Sequence, residues 1–167
     1  MQFKFLALAA LAATSVAADI KSSLDTIGTA VVKLNSTVTS YRGDLLGLIP
    51  ITTDALCLLD DINEGTKTAQ AAAPLSYDAA LDIAQSTGTL ASYVNDVIDN
   101  FVRTKPKFAK LLIVVPIIKE TLKTQRAATA KLCKAVVDKV PQELQEIAEI
   151  IVKQIDDKFA EGIKAYS

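Results

Sequence analysis

The run Leu111–Ile118 (LLIVVPII) places eight apolar residues in succession within an otherwise amphipathic chain. A helix on the surface of a soluble protein is expected to carry a polar residue at every third or fourth position. A helix that crosses a bilayer needs about 20 apolar residues, so the run is too short to span one. It therefore predicts either a segment enclosed by neighbouring helices or a segment with one face against an apolar group that is not protein.

The first 18 residues have the organisation of a secretory signal peptide. Lys4 supplies a positive charge, residues 5–13 are apolar, and residues 16–18 form a small-residue cleavage site before Asp19. The alternative is that they form a hydrophobic first helix of the fold. Cleavage before Asp19 leaves residues 19–167 as one domain with 17 basic and 19 acidic residues. Such a balance does not suit a nucleic-acid-binding protein.

Secretion would bear on two further features of the sequence. Asn35-Ser36-Thr37 is an N-glycosylation sequon, which predicts a glycan on Asn35. Cys57 and Cys133 are the only cysteines, and an oxidising compartment favours a disulfide between them. The alternative is a pair of buried free thiols that pack as small apolar side chains.

Helical spacing recurs along the whole chain, and no stretch has the alternation typical of strands. The clearest apolar stripe advances in steps of three and four residues from Ile20 to Tyr41. Such a stripe suits a helical bundle or a coiled coil, and the helices that follow it favour the bundle. We predict an all-α, single five-helix bundle with a possible apolar central cavity, its helices covering about residues 19–41, 44–73, 76–105, 107–138 and 141–167.

Proline and glycine set the expected boundaries and irregularities. Pro74 is expected to end the second helix, and Pro141 fits the first position of the last one. Pro116 lies inside the predicted fourth helix, where a missing N–H predicts a kink. A buried strand over Leu111–Ile118 is disfavoured by that proline and by the lack of a partner strand. Gly88, inside the third helix, suggests a close approach of another helix.

The side-chain inventory argues against an enzyme. The chain has no histidine, which removes the Ser-His-Asp and Cys-His arrangements and most zinc sites. The sequence has no glycine-rich phosphate loop. The carboxylates of Asp60, Asp61 and Glu64 have the spacing of an ordinary solvated helix face. We expect a non-enzymatic protein without a metal or cofactor.

A basic stretch, Arg103–Lys107 together with Lys110, lies between the third and fourth predicted helices. One interpretation is that it holds an anionic head group at the mouth of an apolar cavity. The other is a solubilising loop whose cations lie near a helix C-terminus.

The composition favours an aliphatic interior. Half of the residues are apolar, yet only 5% are aromatic and none is tryptophan. Burial of 16 methylene groups at about 0.8 kcal/mol each gives about 13 kcal/mol, against association costs of roughly 4–15 kcal/mol. The gain from burial can therefore offset the cost of binding a lipid, although the same side chains could simply pack together. The candidate cavity residues, drawn from the fourth helix and the helices facing it, are Val94, Phe101, Phe108, Leu112, Val115, Ile118 and Ile151.

The chain resembles the fungal hydrophobic surface-binding protein A family, which includes antigenic cell-wall galactomannoproteins. The resemblance is carried by the first apolar stripe ending in Tyr41–Asp44, the break at Pro74–Ser76, the segment Phe108–Pro116 and the spaced Leu122 and Leu132. It implies a secreted helical bundle that adsorbs to hydrophobic surfaces, with fatty acids or other lipids held in a central cavity of some members. The sequence lacks the Ser/Thr-rich tail of the longer cell-wall members, which predicts free secretion rather than anchoring in the wall.

Three functions remain open at this level. The first is a secreted monomer that binds fatty acids or similar apolar ligands between its helices. The second is a surface-active protein that spreads its amphipathic helices on hydrophobic surfaces. The third is a cell-wall structural protein or antigen without a ligand.

Overall fold

The computed structural model describes residues 3–167, with side chains from Ala17 onward. It contains five helices: α1 (Phe3–Ser40), α2 (Leu48–Ala71), α3 (Tyr77–Phe108), α4 (Val114–Val137) and α5 (Gln142–Ala165). The predicted all-α, five-helix fold is confirmed, and no strand occurs among the described residues. The predicted signal peptide falls almost wholly outside the residues whose side chains are described, so it stays a prediction. None of the described helices is long and apolar enough to span a membrane.

The five helices form a closed ring. Each helix packs against two neighbours, in the order α1, α2, α4, α5, α3 and back to α1, whereas α3 and α4 barely touch across α5. Because the connections are short, successive helices run in opposite directions. The C-termini of α1, α3 and α5 therefore share one end of the bundle with the N-termini of α2 and α4.

The apolar stripe of α1 faces the interior of this ring. Every member of the stripe from Ile20 to Tyr41 is buried. Ser76 is the N-cap of α3, and its hydroxyl accepts a hydrogen bond from the N–H of Ala79. Pro141 is the residue before α5 rather than its first residue.

The two central prolines act differently from the prediction. α3 continues through Pro106 to Phe108, and α4 begins at Val114 instead of Lys107. Pro116 is therefore the third residue of α4, in the first turn. The N–H groups of that turn have no partner within a helix in any case, so the missing N–H costs nothing there and the predicted kink has no physical basis.

The run Leu111–Ile118 is not enclosed by helices. Its first part belongs to the α3–α4 connection, and only Val114 and Ile118 are buried. Leu112 is 89% exposed, Ile113 67% and Ile117 55%. The first alternative drawn from the sequence, full enclosure, is wrong for this segment because a connection between helices offers no neighbours on its outer side.

The predicted disulfide is absent, and both cysteines are free thiols. Cys57 is exposed on α2, near Lys33 of α1. Cys133 is buried on α4, near Asp156 of α5. The two side chains lie on different helix pairs of the ring, so a shared oxidising compartment would not by itself bring the sulfur atoms together.

Candidate functional site

An apolar cavity of about 80 Å³ lies inside the ring. It occupies the half of the bundle formed by the N-terminal parts of α3 and α5 and the C-terminal part of α4, which we call the cavity end. All five helices contribute to its wall, with Leu24 from α1, Ile62 from α2, Leu90 from α3, Leu132 from α4 and Ile155 from α5. The central space predicted from the composition is thus present in one half of the molecule.

The cavity wall contains few polar groups. Its polar members are Thr87, Thr129 and Cys133. The hydroxyl of Thr87 is used within α3, where it donates to the carbonyl oxygen of Ile83 at 2.7 Å. Burial raises the pKa of the Cys133 thiol to about 11, so this thiol is neutral near pH 7. A wall without an ionised group suits a hydrocarbon and leaves a charged group unsolvated.

The cavity reaches the surface between α3 and α5. Leu81 of α3 and Ile147 of α5 both line the cavity and are exposed to solvent. The small side chains of Ala84 and Ala148 line it one turn or less away. These residues mark an apolar mouth.

The charges around the mouth are negative. The adjacent turns carry the exposed carboxylates Asp78 and Asp82 on α3 and Glu143 and Glu146 on α5. Acidic residues are expected in these positions because both helices begin here, and carboxylates stabilise the positive end of a helix dipole. An anionic head group would meet like charge at this mouth.

A second depression, between α4 and α5, adjoins the cavity and shares Cys133 and Val152 with it. Its walls carry three cations, Arg126, Lys134 and Lys153, and three carboxylates, Asp138, Glu149 and Asp156. Each of these cations is paired with a carboxylate, and the Nε and Nη2 atoms of Arg126 bind both oxygens of Asp156 at 2.6 Å.

These ion pairs determine the electrostatics of this depression, which we call the α4–α5 groove. The hydrogen bonds from Arg126 hold the pKa of Asp156 below its usual value. The ion pairs of Lys134 and Lys153 are exposed, so exchanging their carboxylate partners for another anion costs little. The groove is the part of the cavity's surroundings where an anionic group could be held.

Two of the seven candidate cavity residues lie on the wall, Val94 and Ile151. The others do not: Leu112 is exposed, Val115 is half-buried at the start of α4, and Phe108 packs elsewhere in the core. Phe101 and Ile118 are buried and contribute to a separate depression between α2 and α4. The helical period identified apolar faces correctly but carries no information on height along the bundle. Residues 101–118 all lie around the α3–α4 connection, at the end opposite the cavity.

That opposite half, which we call the aromatic end, is filled by rings. Phe108 is completely buried. Its ring stacks on Tyr41, with centroids 4.7 Å apart, and on Phe101, with centroids 6.0 Å apart. The hydroxyl of Tyr166 donates to the carbonyl oxygen of Phe101 at 2.6 Å, which ties the C-terminus of α5 to α3. Burial raises the pKa of Tyr166, which keeps this donor protonated.

The predicted glycosylation position lies within α1. Asn35 is half-buried, and its side-chain oxygen accepts a hydrogen bond from Nδ2 of the buried Asn100 at 2.8 Å. Glycosylation of Asn35 stays a prediction. Among the described residues, no group of Cys, Asp and Glu side chains is arranged to hold a metal ion.

Several solved structures share this fold. Afmp4p in complex with palmitic acid superposes with a TM-score of 0.88 at 24% identity, covering 90% of this chain and 99% of that one. Ligand-binding domain 1 of the Penicillium marneffei MP1 protein, complexed with arachidonic acids, has a TM-score of 0.84 at 23% identity, covering 89% and 97%. At these identities the likeness establishes the fold.

Curated relatives are found among fungal wall proteins. Cell wall mannoprotein 1 of Aspergillus flavus is 28% identical over 157 residues, which is 92% of this chain and 52% of the relative. Cell wall mannoprotein 1 of Aspergillus fumigatus is 32% identical over 133 residues, 80% of this chain and 46% of the relative. The chain thus spans about half the length of these relatives. The model of the family described as hydrophobic surface binding protein A matches residues 17–138. The chain belongs to the hydrophobic surface binding protein A family.

Proposed function

We propose that the protein is a secreted, non-enzymatic carrier that holds the hydrocarbon chain of a fatty acid or similar amphiphile in its central cavity. The observation that carries the proposal is a cavity walled by aliphatic side chains from all five helices, with an apolar mouth. The fatty acids held by Afmp4p and by the MP1 domain support the same ligand class. The cell wall relatives and the predicted signal peptide support an extracellular or cell wall location.

The cavity must widen to take a long chain. Its volume of about 80 Å³ is far below the roughly 300–1,000 Å³ of typical ligand pockets. The N-terminal half of α5 is the wall best suited to move, because Leu144 is its only buried residue before Ile155. The C-terminal half is held by Phe159, Gly162 and Tyr166. We therefore assign the widening to an outward movement of residues 142–153.

The head group is assigned to the α4–α5 groove rather than to the α3–α5 mouth. A carboxylate at the mouth would face four carboxylates and no cation of the adjacent turns, whereas the groove balances its three carboxylates with three cations, among them Lys134 and Lys153 next to the cavity wall. A carboxylate near an exposed lysine keeps its hydration and gains a favourable charge interaction.

Titration of delipidated protein with a fluorescent fatty acid tests the carrier function. We expect saturable binding in the micromolar range and at least tenfold weaker binding by Ala148→Phe, which fills the cavity beside Ile147. Ala127→Phe is the matched control, because Ala127 is exposed on α4 and lines no part of the cavity. Binding that does not saturate at tens of micromolar ligand, or an equal loss in both variants, would contradict the proposal.

The head-group assignment has its own test. The double variant Lys134→Gln, Lys153→Gln is expected to weaken binding of a fatty acid but not of the fatty alcohol of equal chain length. Lys21→Gln, at an exposed ion pair on α1, is the control. An equal effect on acid and alcohol would show that the lysines do not recognise the carboxylate.

A second candidate function is adsorption to hydrophobic surfaces, which the exposed apolar side chains of the α1–α2 and α3–α4 connections favour. Spreading of the amphipathic helices on wax particles would abolish the near-UV circular dichroism signal even in ligand-filled protein. Retention of that signal on adsorbed protein would contradict spreading.

A further inference from the structure

The outer surface of the aromatic end exposes large apolar side chains on two connections. Leu45 and Leu46, between α1 and α2, are 60% and 78% exposed. Leu112 and Ile113, between α3 and α4, are also exposed. Monomeric soluble proteins rarely expose such residues in groups unless the surface binds something. We call these four residues the apolar tip.

The two connections lie side by side. The Nζ atom of Lys107 donates to the carbonyl oxygen of Tyr41 at 2.8 Å, which joins the end of α3 to the end of α1. Gly43, with a φ of 97°, lies beside the end of α3: an added Cβ would be in ordinary contact, at 3.5 Å, with the carbonyl oxygen of Lys107 and with Cδ of Lys110. The apolar tip is therefore one surface rather than two separate loops.

The surroundings of the apolar tip are strongly basic. Between Arg103 and Lys119 the sequence has five basic residues and no acidic one. Lys105 and Lys107 donate to the carbonyl oxygens of Ala165 and Tyr41, so both cap the C-termini of neighbouring helices. This confirms part of the solubilising-loop interpretation, since cations do lie at helix C-termini here.

Three further basic residues at this end have no ion-pair partner among the described residues. Arg42, Arg103 and Lys110 are exposed, and none of them belongs to an ion pair of the described residues. The connections contain one acidic residue, Asp44, whose Oδ1 accepts a hydrogen bond from the N–H of Gly47 at 2.7 Å. Its negative charge offsets one of the three cations, and the surface keeps a net positive charge. Unpaired cations around exposed leucine and isoleucine distinguish this end from the acidic mouth at the cavity end.

We propose that the aromatic end is a docking site for an anionic lipid bilayer. The apolar tip inserts into the boundary between head groups and acyl chains, and Arg42, Arg103 and Lys110 contact lipid phosphates. Insertion of apolar side chains combined with basic residues near the surface is the chemistry of interfacial membrane binding. A second copy of the chain fits less well, because a two-fold interface would bring the cations of both copies together.

Sedimentation with vesicles tests the proposal on the full chain. The protein is expected to bind vesicles made of equal parts phosphatidylcholine and phosphatidylglycerol at least tenfold more strongly than pure phosphatidylcholine vesicles, and added salt should reduce the difference. Equal binding to both vesicle types would overturn the proposal and identify general adsorption. Dimerisation in sedimentation velocity that is abolished by changes in the apolar tip would overturn it in favour of a second copy.

Matched variants locate the surface. Leu112→Asp, Ile113→Asp should lower binding to the anionic vesicles at least tenfold, whereas Ile147→Asp, Ile150→Asp, more than half exposed at the cavity end, should not. Arg42→Glu, Lys110→Glu should lower it by a similar factor, whereas Lys21→Glu, Lys131→Glu, which changes net charge equally, should have a much smaller effect. Equal losses in a variant and its control would overturn the assignment.

Docking does not depend on the cavity. Circular dichroism shows whether each variant is folded, and a fatty acid titration in solution should be unchanged in the apolar-tip variants. Loss of vesicle binding with intact fatty acid binding, or the reverse, therefore distinguishes a failure of the carrier function from a failure of the docking proposal.

Discussion

The cavity end and the aromatic end are built from the same five helices, yet only one of them is filled. At the aromatic end, the rings of Tyr41, Phe101 and Phe108 stack through the centre of the ring of helices. At the cavity end, the same central space is lined by valine, isoleucine, leucine and alanine, which leave a void. A five-helix ring encloses more space than aliphatic side chains fill, so the position of a few aromatic residues decides where a ligand can enter.

α5 belongs to both ends and differs between its halves. Near the aromatic end it approaches α3 so closely that a Cβ added to Gly162 would lie 2.8 Å from Cγ2 of Ile98. Near the cavity end its side chains Ile147 and Ile150 remain exposed. The C-terminal half of α5 is thus tightly packed, whereas its N-terminal half makes few buried contacts.

Truncation of the Phe108 side chain should have the largest effect on stability. Phe108→Ala is expected to lower the free energy of unfolding by about 3–5 kcal/mol, because Phe108 is completely buried between two other rings. Ile147→Ala at the mouth should cost less than about 1 kcal/mol. Urea denaturation measures both, and similar costs would refute the contrast between the two ends.

Two glycines test the fit of the helices. Gly162→Ala should destabilise the protein by about 1–3 kcal/mol, since the new methyl group would overlap Ile98. Gly88→Ala should stabilise it by up to about 1 kcal/mol, because nothing lies within 4 Å of the added atom. The close helix approach predicted at Gly88 is therefore wrong, and thermal denaturation of the two variants should give shifts of opposite sign.

Acid should weaken the contact between α1 and α2 beside the aromatic end. Burial alone would raise the pKa of Asp54, but hydrogen bonds from Lys33 and Thr37 outweigh it and hold the pKa below its usual value. Because the folded pKa is lower than the unfolded value of about 4, the stabilisation is complete above pH 4 and is lost as the pH falls through the folded pKa. Asp54→Asn should therefore show a smaller loss of stability below pH 4 in denaturation measured across pH.

The smallest expected effect is a difference in amide hydrogen exchange between the two halves of α5. Amides of residues 142–153 are expected to exchange faster than those of residues 154–165, because the first half of α5 has few buried contacts. Saturating fatty acid should slow the first half and leave the second nearly unchanged. Uniform protection along α5 in the ligand-free protein would rule out the proposed movement.

Local patterns in the sequence were sufficient for several features. The apolar stripe of α1, the N-cap at Ser76 and the number of helices are consequences of spacing, side-chain chemistry and proline placement. The resemblance to the hydrophobic surface binding protein A family, which those spacings carry, is confirmed by the match of the family model to residues 17–138. These features depend on residues that are close together in the sequence, so the sequence alone is sufficient to predict them.

The errors have a common cause. Leu112 and Phe108 are close in sequence and equally apolar, yet one is exposed on a connection and the other is the centre of the core. Cys57 and Cys133 share a chemistry but not a helix pair. Each outcome depends on which helix ends meet in space, which no local pattern encodes.

The amino-acid order by itself determined five amphipathic helices and an interior poor in aromatic residues, because these follow from periodicity and composition. Tertiary structure alone decided that the rings gather at one end, that the void opens at the other and that eight apolar residues in a row are divided between core and surface. The physical reason is that burial is settled by packing between helices, whereas periodicity specifies only the face of each helix that turns inward.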